Sequence, residues 1–186
     1  MARKRSRSPL PTLMLLAAFA AAAWGAWRYG PALLARLQAP PATAGAALDV
    51  CARATPAAIA QAIGVATAEA RHVGAAADVP AAGACTWDFE GGSIVALWFT
   101  PASLARGKVT ERGHAYFEGV ATGLEYAFKE PPATIAGIGD EAAAAGFGGG
   151  PEPAQLVVRR GDDVLTLVLR GVDRARAERV AKLLVK

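Results

Sequence analysis

Residues 85–99 read CTWDFEGGSIVALWF, and their pattern decides the fold class. Two runs rich in aromatic and β-branched residues flank Gly91-Gly92, with apolar side chains at every second position near the turn. That period belongs to a strand half-buried in a sheet, and a Gly-Gly link favours the primed two-residue turns whose twist suits paired strands. Counting outward from the turn pairs Phe89 with Ile94, Trp87 with Ala96 and Cys85 with Trp98, which puts all six on one face. That face is the expected core.

The flanking sequence supplies the partners of this hairpin. A second hairpin is expected from AQLVVRR (154–160), a turn near Gly161-Asp162, and DVLTLVLR (163–170). Thr55-Pro56, AAIAQAI and Gly64 spell a short helix: threonine caps it, proline fills the first turn where its missing N–H costs nothing, and glycine ends it. Thr100-Pro101 repeats the opening signal, although Gly107, Gly113, Gly119 and Gly123 obscure how far that helix runs. Asp173 is placed to cap a last helix whose Ala177, Val180, Ala181 and Leu184 share one face. Residues 65–73 read as extended, and residues 131–153 read as irregular.

Helices and hairpins in this order predict an α+β fold: an antiparallel sheet built from hairpins, covered on one side by about three helices. The recurrence of helix-then-strands hints at a duplication, but the halves do not align.

Ahead of this domain lies a different kind of sequence. Residues 1–8 form a basic leader, and the uncharged run from residue 9 is long enough to cross the hydrocarbon core of a membrane, so residues 9–28 read as a transmembrane signal anchor. Trp24, Trp27 and Tyr29 fall at its far end, where amphipathic rings prefer the interface. The positive leader keeps the N-terminus cytoplasmic and the C-terminal domain periplasmic or extracellular. The alternative is a cleavable signal peptide cut near Ala20-Ala21-Ala22. Residues 29–47 are a tether rich in proline and alanine, and residues 48–186 form the extracytoplasmic domain.

Charge narrows the function classes. Six of the 20 Lys and Arg residues precede residue 40 and no acidic residue precedes Asp49, leaving 14 basic against 16 acidic side chains in the domain. A nucleic-acid reader needs its positive charge on the folded surface, so that class is excluded as the main role.

Cys51 and Cys85 are the two cysteines, and in an oxidising compartment they are expected to form a disulfide. A metal or redox role would need a C-x-x-C pair or nearby histidines. His72 and His114 are far apart in sequence, with no carboxylate–histidine pattern around them, so no metal, cofactor or catalytic residue is assigned. Ser93 lacks the strand-to-helix G-x-S-x-G setting of a hydrolase nucleophile. GFGGG at 146–150 lacks the Gly-Lys-Ser/Thr ending of a phosphate loop, but could present Phe147 to a partner. Asp140 and Glu141 are neighbours that point apart in extended chain, which suits turn work beside Gly139 rather than acid–base chemistry. Arg176, Arg179 and Lys182 lie opposite the apolar stripe of the last helix, and with Phe147 are the candidate interaction residues.

LDVCARATPAAIAQAIG (48–64), CTWDF (85–89), IAGIGDEA (135–142) and LVVRRGDDVLTLVL (156–169) before a closing helix together resemble a family of small exported bacterial proteins of unknown function, many of them actinobacterial lipoproteins. The resemblance spans nearly all of the domain and implies an exported α+β domain with a disulfide and no assigned catalytic residue. This chain departs from the family in having an anchor where a lipidated cysteine would stand.

These readings converge on a membrane-anchored, non-catalytic binding or interaction module of the bacterial envelope, with an envelope protein as the expected partner. The alternatives are a small-ligand or lipid carrier and an envelope hydrolase.

Overall fold

The structure, a computed structural model, describes residues 48–73, 79–150 and 152–186. The leader, anchor and tether expected within residues 1–47 lie outside the described residues. Among those described, no helix is long and apolar enough to cross a membrane.

The domain is α+β. A 3-10 turn, Cys51–Arg53, precedes α1 (Pro56–Ile63); β1 (Glu69–His72), β2 (Gly83–Phe89) and β3 (Gly92–Phe99) follow. Then come α2 (Pro101–Arg106), α3 (Gly113–Phe128), β4 (Ala133–Thr134), β5 (Glu141–Ala145), β6 (Ala154–Arg160), β7 (Asp163–Arg170) and α4 (Arg174–Leu184). All seven strands form one antiparallel sheet in the order β1-β2-β3-β7-β6-β5-β4.

The helix ends follow the sequence signals. The Thr55 hydroxyl accepts from the Ala58 N–H, and Gly64 closes α1 in the left-handed region. Thr100 and Ser103 form a reciprocal capping box on α2, and Asp173 accepts from the Arg176 N–H at the start of α4. The second helix breaks after Arg106 and restarts at Gly113. Gly119 and Gly123 sit inside α3 on its open side, with nothing within 4 Å of where a Cβ would be.

The first hairpin turns one residue earlier than expected. Phe89 pairs with Gly92, Trp87 with Ile94 and Cys85 with Ala96, so the link is Glu90-Gly91. Gly91 takes φ 85°, but Glu90 has no positive φ, which rules out the two-positive primed turn. Gly92 is glycine for a different reason: a Cβ there would stand 2.1 Å from the Arg170 carbonyl oxygen. The pairing shifts by two residues, and because side chains alternate with period two, the same six residues still share a face. The second hairpin turns at Gly161-Asp162 as expected, pairing Arg160 with Asp163.

The expectation of helices on one side is corrected: both faces of the sheet are covered. On one face Cys85, Trp87, Ile94, Ala96, Trp98, Leu156, Leu165 and Leu167 pack with Ile59 and Ile63 of α1 and with Val180 and Leu184 of α4. On the other, Phe99, Val157 and Val164 meet Leu104 of α2 and Phe117 and Leu124 of α3. Residues 131–153 are likewise more ordered than expected, since they contain β4 and β5. The β5 sequence EAAAA hides its strand because alanine marks neither face.

Candidate functional site

Two ends of the sheet differ in chemistry. The chain enters at Leu48, whose N–H bonds the Ala82 carbonyl beside the start of β2. At this entry end the Arg53 guanidinium lies 3.8 Å over the Trp98 ring, while Trp98 Nε1 donates to Asp163 at 3.1 Å. Arg160 donates to the carbonyls of Val185 and Lys186, tying down the C-terminus.

The entry end also gathers a charged network that linear spacing did not reveal. His114 Nδ1 lies 2.9 Å from Glu141 Oε2, and its Nε2 lies 3.2 Å from Glu118 Oε1. Arg159 reaches Glu141 at 2.5 Å and Asp140 at 3.1 Å. Asp140 and Glu141 therefore converge on one guanidinium, because Asp140 lies in the bend before β5 instead of in extended chain. Asp140 also accepts from the Gly161 N–H at 2.7 Å, which is the turn work expected of it. The network fastens the start of α3 to β5 and β6.

Its titration has a definite sign. The hydrogen bond to Glu141, then the charge of Glu118, raises the His114 pKa. The same imidazole, then Arg159, holds the Glu141 carboxyl below the ordinary carboxylate range. The histidine contribution to stability is complete below its unfolded pKa and is lost as pH rises through the folded one. The carboxylate contribution is complete above its unfolded pKa and is lost as pH falls through the folded one. Both are complete between roughly pH 4.3 and 6.5. We expect NMR titration to place the His114 midpoint higher in the parent than in Glu141→Gln; equal midpoints would mean that the imidazole does not engage this carboxylate.

At the opposite end lie the Glu90-Gly91 turn, the glycine loop after β5 and the β7–α4 connection. A cleft of about 410 Å³ opens there, lined by Phe147, Glu152, Pro153, Leu169, Arg170 and Val172 among others. Phe147 is partly buried against the core, and Gly146 abuts the ring of Phe128 at the end of α3. A second cleft, of about 620 Å³, lies against that helix end, lined by Thr122, Glu125, Tyr126, Lys129, Glu130 and Pro131. Tyr126 is 88% exposed, an unusual state for a large aromatic side chain.

The basic face of α4 is partly committed to the fold. Arg179 donates to the Ala62 carbonyl at the end of α1 at 2.8 Å, and Arg176 lies 3.3 Å from Asp173. Lys182 is exposed.

The structure joins Cys51 to Cys85, with Cα atoms 5.2 Å apart. It also brings His72 beside the bridge: His72 is the register partner of Cys85, and its Nδ1 lies 3.6 Å from Asp49 Oδ1. Both histidines thus have carboxylates close by, which corrects the sequence reading. His114-x-x-x-Glu118 on one helix face was the available signal for the first pair; the second emerges only from the β1–β2 pairing.

The structure does not gather Ser93 with either histidine. Ser93 pairs with Asp88 and Arg170 at the loop end, whereas His114 is bound to Glu141 at the entry end. His72 shares the register of Cys85, on the other face from Asp88 and its partner Ser93. The Ser103 hydroxyl is buried and engaged in the α2 cap.

The chain matches no family model, no curated protein and no solved structure.

Proposed function

We propose that this chain is a membrane-anchored extracytoplasmic binding module of the bacterial envelope that presents its loop end to a protein partner without catalysing a reaction. The observation that carries the reading is polarity. The chain enters at Leu48 beside β2's first residues, whereas the glycine loop, Arg170 and the exposed Tyr126 lie at the opposite end. Eight residues of β7 put about 23 Å between these ends. A tether fixed at Leu48 leaves the loop end free to meet a partner.

The disulfide suits an oxidising compartment. Both clefts lie at the surface, which favours an extended partner over an enclosed lipid and so ranks the module above the carrier. Membership of the family of small exported bacterial proteins belongs to the same proposal.

The test is a photo-crosslinking residue placed in full-length protein at Phe147, Tyr126 or Lys182 in intact cells. Adducts to one envelope protein are expected from the first two positions, with loss of the adduct on deleting residues 146–150. Adducts from Lys182 alone, or unchanged capture after the deletion, would overturn the loop-end reading.

A further inference from the structure

Three side chains able to ligate a metal, Asp49, Cys51 and His72, gather beside β1, and a fourth, Cys85, adjoins them through the bridge. The Asp49 carboxylate, Cys51 sulfur and His72 imidazole offer ligand atoms that all lie within 4.8 Å of one another. Cys85 is bonded to Cys51 and stands opposite His72 in the β1–β2 register. Opening the disulfide completes a set of two thiolates, one imidazole and one carboxylate.

Such a set has the softness and number of ligands that zinc prefers. Tetrahedral zinc, with bonds of about 2.0–2.3 Å, places neighbouring ligand atoms roughly 3.3–3.8 Å apart. Asp49 Oδ1 and His72 Nδ1 already stand 3.6 Å apart. The Ala52 N–H donates to the same Oδ1 at 3.0 Å, which orients the carboxylate beside Cys51 and leaves that oxygen a second lone pair for a metal. His72 and Cys85 are fixed by strand pairing. Cys51 sits on a three-residue turn, a short element able to shift while the sulfurs separate to metal-ligand spacing. While the disulfide is intact neither sulfur is a thiolate, and the set is incomplete.

We propose that Asp49, Cys51, His72 and Cys85 form a reduction-gated zinc site. The gate needs an external dithiol. Its first thiolate attacks the sulfur of Cys51, the less buried residue of the bridge, forming a mixed disulfide and releasing Cys85 as the thiolate. Its second thiol then attacks the external sulfur of that mixed disulfide, releasing Cys51 and leaving as the oxidised disulfide. Two electrons and two protons pass to the protein, and zinc displaces the thiol protons on binding. The site is independent of the loop end, so either proposal can fail without the other.

The test uses the full chain in mild detergent, oxidised or phosphine-reduced, stripped of metal, and titrated with zinc against a chromophoric chelator. We expect one zinc per reduced chain and affinity at least about 100-fold lower in the oxidised chain. Cobalt should give a thiolate charge-transfer absorption only after reduction. Asp49→Asn and His72→Ala should each weaken zinc binding by about tenfold or more. The proposal is overturned if the reduced chain binds zinc no better than Cys51→Ser/Cys85→Ser, or if neither Asp49→Asn nor His72→Ala changes the affinity. Far-UV circular dichroism is recorded throughout. If reduction alone unfolds the domain, zinc should restore the oxidised spectrum, and failure to restore it also counts against the site.

Discussion

Replacing both cysteines, as Cys51→Ala/Cys85→Ala, is expected to lower the unfolding free energy by about 3.5–4 kcal/mol and the melting temperature by roughly 10–15 °C. The bridge spans 34 positions and joins the 3-10 turn before α1 to the buried face of β2. Without it, the unfolded chain regains the freedom of a loop of that length, which is the larger part of the effect in the entropic account. The segment it fastens has other ties as well: Leu48 bonds Ala82, Arg53 rests on Trp98 and donates to the Leu184 carbonyl, and Val50 and Ala54 are buried in the core. A domain of ordinary stability, about 5–15 kcal/mol, tolerates that loss and stays folded at room temperature. Urea titration of the parent and the double variant measures the difference directly. A change below about 1 kcal/mol would mean that the 48–54 segment is held by packing and not by the covalent link.

Trp87→Ala is expected to cost about 3–5 kcal/mol, whereas Trp87→Phe should fall within about 1 kcal/mol of the parent. Trp87 is wholly buried on β2, paired with Ile94 on one side and Ala70 on the other. Truncation to alanine opens a cavity in the face shared with α1 and α4. Phenylalanine retains much of the ring contact and removes a liability, because Trp87 Nε1 is a buried donor without a hydrogen-bond partner among the described residues. Leaving such a group unpaired costs about 1–3 kcal/mol, which offsets the volume lost on going to phenylalanine. Equal destabilisation by the two substitutions would show that indole shape, and not its N–H, governs this position.

The local punctuation of the fold was legible in sequence, and its layering was not. Thr55, Gly64, Thr100 and Asp173 mark helix ends through side-chain and backbone chemistry that acts within a few residues. The Gly161-Asp162 turn is equally local. Covering on both faces depends on long-range packing, although LVV at 156–158 and VLTLVL at 164–169 carried its mark: nearly continuous apolar runs signal burial on both sides of a strand. The Gly91-Gly92 pair misled by one position because Gly92 answers to the Arg170 carbonyl, a contact between distant strands. Arg176 and Arg179 read in sequence as an open basic face, whereas the Ala62 carbonyl of α1 engages Arg179 and the capping Asp173 lies against Arg176. The juxtaposition of Asp49 and His72 with the bridge depended on a strand register that neither residue type encodes.

Strand length tapers across the sheet, from eight residues in β3 and β7 at the centre to four in β1 and two in β4 at the margins. Among the described residues, a second copy seeking to extend the sheet meets little unpaired backbone on either margin, and β1 greets it with exposed Glu69, Arg71 and His72. Copies at high concentration then have little means of zipping together edge to edge. The outline of the sheet is itself a safeguard against self-association into fibres, set by where the strands stop as much as by what they contain.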